Sequence, residues 1–144
     1  MTAASMHKCL SLSAKDEEDF AVISALLQDA EVKVQDMTFL RDEHKFVVLV
    51  KRLVKETKQA TNPRRATRNT VQTGLCFDGV RSVRTRDIVR KDRNSLLRFL
   101  MVSYVHEEIA LIFSGGGAIK LKGDSMICLF RDLDAEPDVG ETSV

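Results

Sequence analysis

Five groups of residues in this chain could do chemistry, and the arginines have the clearest physical consequence. Thirteen of its 22 Lys and Arg side chains lie between Lys51 and Arg93, where only Glu56, Asp78, Asp87 and Asp92 oppose them. Both flanks are acidic, so a strongly basic middle sits inside a chain of net charge +1. Charge segregated in this way governs partners and association rather than fold. If Arg64, Arg65 and Arg68 share a face with Arg81, Arg84 and Arg86, the phosphates they neutralise release counterions. Binding is then salt-dependent, as for proteins that hold nucleic acid. Stacking aromatics are missing from the block, since Phe77 and Phe99 read as core. Arg81 and Arg84 share a strand face only across a bulge. The competing reading pairs these arginines with the acidic helix and tail, within the chain or across a homodimer.

The other four groups reduce to ordinary structure. Ser114-Gly115-Gly116-Gly117 invites a phosphate loop, but no Gly-Lys-Ser/Thr end and no helix follow. A hairpin tip that needs positive φ accounts for the glycines. Asp16 to Asp19 could be acid–base or metal carboxylates, yet four acids in a first helical turn are explained by the helix dipole. His106, Glu107 and Glu108 fall in a turn and lack a further ligand at metal-binding spacing. Cys9, Cys76 and Cys128 are odd in number and set in apolar runs, which reads as reduced structural thiols. No catalytic residue, metal or cofactor is assigned.

The elements that must position these groups follow from periodicity. Lys8 to Ser13 alternates as a short strand with Leu10 and Leu12 inward. A helix follows, with Phe20, Ile23, Leu27 and Ala30 on one face and Ser13 or Lys15 at its cap. Glu31 to Leu40 returns to period two, and the polar turn 41–44 leads into a strand from Lys45 to Val54, forming an antiparallel hairpin. Lys55 to Asn69 has no period and reads as a mobile basic loop. Thr70 to Val89 is extended with a bend near Gly79, and Leu96 to Val105 is another long strand. Ile109–Phe113 and Ala118–Lys122 flank the glycines. Met126, Leu129, Phe130 and Leu133 recur at i, i+3, i+4 and i+7, which predicts a short C-terminal helix. Residues 134–144 form an acidic tail. Strand-then-helix thus occurs twice, and duplication and chance both stay open as its origin.

At 144 residues with 44% hydrophobic and 30% charged side chains, the composition is that of one globular domain, here residues 1–133. No apolar run approaches the ~20 residues of a membrane helix, and no apolar signal core opens the chain. A cytoplasmic, non-membrane location is the expectation.

The segments EDFAVISALLQDA (Glu18 to Ala30) and FSGGGAIKL (Phe113 to Leu121) resemble the two signature blocks of an alphaproteobacterial family, domain of unknown function 2948. The resemblance spans nearly the whole chain and includes the basic stretch from Arg64-Arg65 through Arg86. It implies no activity, cofactor or catalytic residue. Family members usually carry a Trp after the second strand and another near the C-terminus. This chain has none, and Val54-Lys55-Glu56 stands at the first place, so no role of those aromatics carries over.

The expected fold is α+β: a curved antiparallel sheet or half-barrel, with the N-terminal helix closing one opening and the short C-terminal helix on the other side. The expected function is a non-enzymatic binding or interaction module. Its basic surface of Arg64, Arg65, Arg68, Arg81, Arg84 and Arg86 would face an anionic ligand or nucleic acid. Two alternatives stand beside it. One is a small enzyme acting on an anionic metabolite in a pocket between helix and sheet, using Asp29 or Asp36. The other is a structural partner subunit.

Overall fold

The computed structural model describes residues 10–54, 69–88 and 94–133. Of the expected basic loop 55–69, residues 55–68 lie outside the described residues and Asn69 begins a strand; the expected tail 134–144 also lies outside them. Among the described residues, eight strands and one helix run in the order β1 (Ser11–Ala14), α1 (Glu17–Leu27), β2 (Glu31–Lys33), β3 (Met37–Leu40), β4 (Lys45–Val54), β5 (Asn69–Arg86), β6 (Leu96–Val105), β7 (Glu108–Phe113) and β8 (Ala118–Asp132).

Six of these strands close a ring. β8 pairs with β5, β5 with β4, β4 with β2, β2 with β6, β6 with β7, and β7 returns to β8. All the pairings are antiparallel. The described residues therefore form a closed six-stranded β-barrel with one helix, which corrects the expected α+β half-barrel. Closure has a physical advantage over an open curved sheet, because it leaves no unpaired strand edge within the ring.

The predicted C-terminal helix is instead the second half of β8, and with it the strand–helix duplication disappears. Met126, Leu129, Phe130 and Leu133 fit a helical face, but Met126, Cys128 and Phe130 are the buried residues, while Leu129 and Leu133 are each 48% exposed. A run apolar on both faces satisfies either period, so local pattern cannot choose. Long-range pairing decides it. One side of β8 runs along β5 for its length, and the other side meets β7 over Ala118–Lys122 and β1 over Cys128–Arg131.

The barrel interior is filled by alternate residues of each strand: Phe46, Val48 and Val50 from β4, Leu75 and Phe77 from β5, Ile109, Leu111 and Phe113 from β7, and Ile119 and Leu121 from β8. Phe20, Phe77, Phe99, Phe113 and Phe130 are all essentially inaccessible. Truncating any of them to Ala costs about 3–5 kcal/mol.

The helix buries Phe20, Ile23 and Leu27 and lies chiefly against β6. The Phe20 and Tyr104 rings sit 4.9 Å apart. β2 pairs with β6 over Leu96–Arg98, and farther along β6 the Val102 N–H donates to Ser24 Oγ of the helix at 2.9 Å. The helix thus takes over where the strand neighbour ends. Its cap is Asp16 rather than Ser13 or Lys15. The Asp16 carboxylate accepts from Asp19 N–H at 2.9 Å, and the Asp19 carboxylate accepts from the N–H of Lys15, just before the cap, at 3.1 Å.

The bend expected near Gly79 is a bulge built on two glycines. Gly79 has φ +91, and a Cβ there would stand 2.8 Å from Asp124 O, while a Cβ on Gly123 would run into Gly79 O. Both Gly79 N–H and Val80 N–H donate to His44 O at 2.9 Å, which hooks the bulge to the start of β4. At the triple glycine, Gly115 (φ +90) and Gly116 (φ +100) form the hairpin tip between β7 and β8, and Phe113 N–H donates to Gly117 O at 2.9 Å.

Candidate functional site

The three strand arginines of the predicted surface all lie on β5 beyond the Gly79 bulge, and Arg64, Arg65 and Arg68 lie outside the described residues. Register shifts on either side of Val80 make Arg81 the extra residue between Val80, opposite Gly123, and Ser82, opposite Lys122. Arg81, Arg84 and Arg86 are all exposed. Their cross-strand partners on β8 add two cations from a distant part of the chain: Arg84 stands opposite Lys120, and Lys122 is one pleat along. The outward face of β5–β8 therefore carries a ladder of Arg84, Arg86, Lys120 and Lys122. Lys120 and Lys122 alternate with the buried Ile119 and Leu121, a pattern that marks them as outward; which strand they neighbour has no local signature.

Carboxylates bound the ladder at one end. Arg81 pairs with Asp124 at 3.1 Å and Lys120 with Glu108 at 3.4 Å, both largely solvent-exposed, so each contributes at most a few tenths to about 1 kcal/mol. Among the described residues, no ion pair involves Arg84, Arg86 or Lys122. Beside this end is an open cavity of about 530 Å³ lined by Arg81, His106, Glu107, Glu108, Lys122 and Asp124. Its lining mixes cations with carboxylates. Among the described residues, no group of three or more His, Cys, Asp or Glu is placed to hold a metal ion.

One arginine of the basic block is not on the surface at all. Arg52 points into the barrel, where its Nη2 donates to both Asp132 carboxylate oxygens at 3.1 and 2.9 Å and its Nε donates to Thr73 Oγ1 at 3.1 Å. Thr73 Oγ1 donates in turn to Asp132 Oδ1 at 2.7 Å, and Leu10 N–H donates to Asp132 Oδ2 at 3.0 Å. The guanidinium also lies 5.1 Å from the Phe130 ring centre. A buried carboxylate met by this many donors is a cross-brace joining β4, β5 and β8 to the residue that leads into β1.

The other end of the barrel holds a cavity of about 380 Å³, lined by Val34, Met37, Phe39, Phe46, Val83, Ile88 and Ile119, with Arg41 and Thr85 as its polar groups. The pocket imagined between helix and sheet fares differently. Asp29 is an exposed turn residue with φ +68 whose N–H donates to Phe99 O, and it lines none of the cavities named here. Asp36 borders a depression of about 150 Å³ with Glu31, Lys33 and Lys51.

Burial pushes the Cys128 thiol far above its ordinary value of 9.0. Cys76 is raised too, first by burial, with Lys45 opposing and Asp78 and Glu43 assisting. Neither is poised as a nucleophile. Cys9 lies outside the described residues.

These features define the protein as a closed antiparallel barrel, packed inside, with a cationic outer ladder and a mouth of mixed apolar and polar lining. The chain belongs to the family described as protein of unknown function (DUF2948), whose model matches residues 10–143. No curated protein and no solved structure matches it. No helix among the described residues is long and apolar enough to cross a membrane.

Proposed function

We propose that the chain is a non-enzymatic binding module that holds an anionic partner, a nucleic-acid backbone, on the ladder formed by Arg84, Arg86, Lys120 and Lys122. The observation that carries this reading is the direct cross-strand opposition of Arg84 and Lys120. Like charges facing each other across strands are destabilising, and only Lys120 has a carboxylate partner among the described residues. A phosphate row seated along the two strands relieves that repulsion, and each cation neutralising a phosphate releases a counterion. Contacts of this kind fix position without reading sequence. The reading includes a cytoplasmic location, with which a buried, reduced Cys128 is compatible.

Fluorescence polarisation with labelled single-stranded RNA and DNA across a salt series tests the proposal. Log affinity is expected to fall linearly with log salt, and the combined Arg84→Gln, Arg86→Gln and Lys120→Gln replacement is expected to reduce the slope by about 2–3. Binding without a salt slope, or an unchanged slope in the triple variant, overturns the reading.

A further inference from the structure

From the cavity at the barrel mouth, a site independent of the outer ladder and lined by both apolar and polar surface, we infer that the protein binds a small amphipathic carboxylate, its tail inside the mouth and its headgroup at Arg41. The mouth differs from the rest of the interior. Elsewhere the barrel is filled by its own side chains, with Phe77, Phe113, Leu111 and Leu121 at 0–1% exposure. At the mouth, Met37, Phe39, Val83 and Ile88 are only partly buried around a space of about 380 Å³. That volume falls within the range of small-molecule sites, and barrel mouths are a common place for them. Covering the half-buried apolar walls is favourable at roughly 25 cal/mol per Å², and the polar part of the lining is left for a headgroup.

The polar groups decide which occupant. Arg41 sits in the turn between β3 and β4, its guanidinium carbon 5.4 Å from the centre of the Phe39 ring. Stacking on the ring holds a long side chain at the rim while leaving the edge of the guanidinium for an incoming group. The guanidinium fork suits a planar carboxylate bidentately. Thr85 adds a hydroxyl among the lining residues. No ion pair among the described residues occupies Arg41. Asp42 and Glu43 share its turn, and their negative charge disfavours a dianionic headgroup more than a monoanion. An aliphatic monocarboxylate meets these conditions, with one charge to match one arginine and a flexible tail for a mouth walled by Val, Ile, Met and Phe.

Decanoate is the probe, used with the full-length chain below its micelle concentration, with decanol as the uncharged control. Isothermal titration is expected to show saturable one-to-one binding of decanoate, and methyl NMR shifts are expected to centre on Val83, Ile88 and Ile119. Arg41→Gln is expected to weaken decanoate by about tenfold, the loss of one charge-assisted contact, and to leave decanol unchanged. Val83→Trp, which fills the cavity, is expected to abolish both. Because Arg41 is exposed on a turn, its variant remains informative even if Val83→Trp fails to fold. No saturable binding overturns the inference. So does equal affinity of Arg41→Gln and wild type for decanoate, or methyl shifts centred instead on the outward Ile127 and Leu129.

Discussion

Replacing Asp132 with Ala tests whether the barrel depends on its buried cross-brace. The carboxylate receives both bonds from Arg52 Nη2, one from Thr73 Oγ1 and one from Leu10 N–H, and the ion pair is almost fully buried, with side-chain exposures of 7% for Arg52 and 3% for Asp132. Removing one partner of such a pair leaves the other charged in a low-dielectric interior and costs about 3–5 kcal/mol. At roughly 2–4 °C per kcal/mol for a domain of this size, the expected fall in melting temperature is about 6–20 °C, read by circular dichroism with a urea titration for the free energy. The control replaces the whole network, Arg52→Met with Thr73→Val and Asp132→Leu. With neither charge left buried, at least about half of the lost stability is expected to return. An Asp132→Ala variant within about 1 kcal/mol of wild type refutes the cross-brace, as does a triple variant no more stable than the single.

The paired glycines give a steric prediction: Gly123→Ala, whose Cβ meets Gly79 O, is expected to cost about 3 kcal/mol or more. Gly115→Ala, at the open hairpin tip with nothing within 4 Å, is expected to cost only the roughly 1–2 kcal/mol of its left-handed backbone; equal losses in urea titrations would show that the glycine contact is not tight. Asp16→Ala removes the cap bond to Asp19 N–H and is expected to cost about 1 kcal/mol, whereas Lys15→Ala should cost little; the reverse order in thermal melts would return the cap to Lys15. A pH effect follows from Cys128, whose folded thiol is raised above its ordinary 9.0. Below that value the thiol is neutral in both states and stability is flat. Above it the unfolded chain loses its proton first, so stability falls as pH rises, by up to about 1.4 kcal/mol per pH unit for this group. Cys128→Ala is expected to flatten the urea-derived slope between pH 9 and 10.5, and an unchanged slope would assign it to other groups.

Most strands were legible because one face of each had to be apolar. β4 and β6 fall where alternation puts them, Lys45–Val54 and Leu96–Val105. Punctuation was legible too, since Gly79, Gly115 and Gly116 all have positive φ, a conformation that glycine alone adopts freely. Two kinds of information were not. Where both faces of a segment are apolar, as from Met126 to Leu133, period two and period 3.6 coincide, and the choice falls to partners far away in the chain. Where a site draws on separate strands, as with Arg84 and Lys120, neither residue carries a mark of the other.

By itself the sequence determined the strand periods, the acidic start of the helix, the glycine-tipped hairpin and the outward alternation of the cations on β5 and β8. Each is a property of neighbouring residues, written in side-chain spacing and backbone φ. Tertiary structure alone decided that the sheet closes, that Arg52 turns inward to Asp132 rather than joining the surface charge, and that Phe39, Arg41, Val83 and Ile119 meet around one cavity. Those outcomes depend on register between strands, set by the summed packing of the whole barrel and not by any one segment.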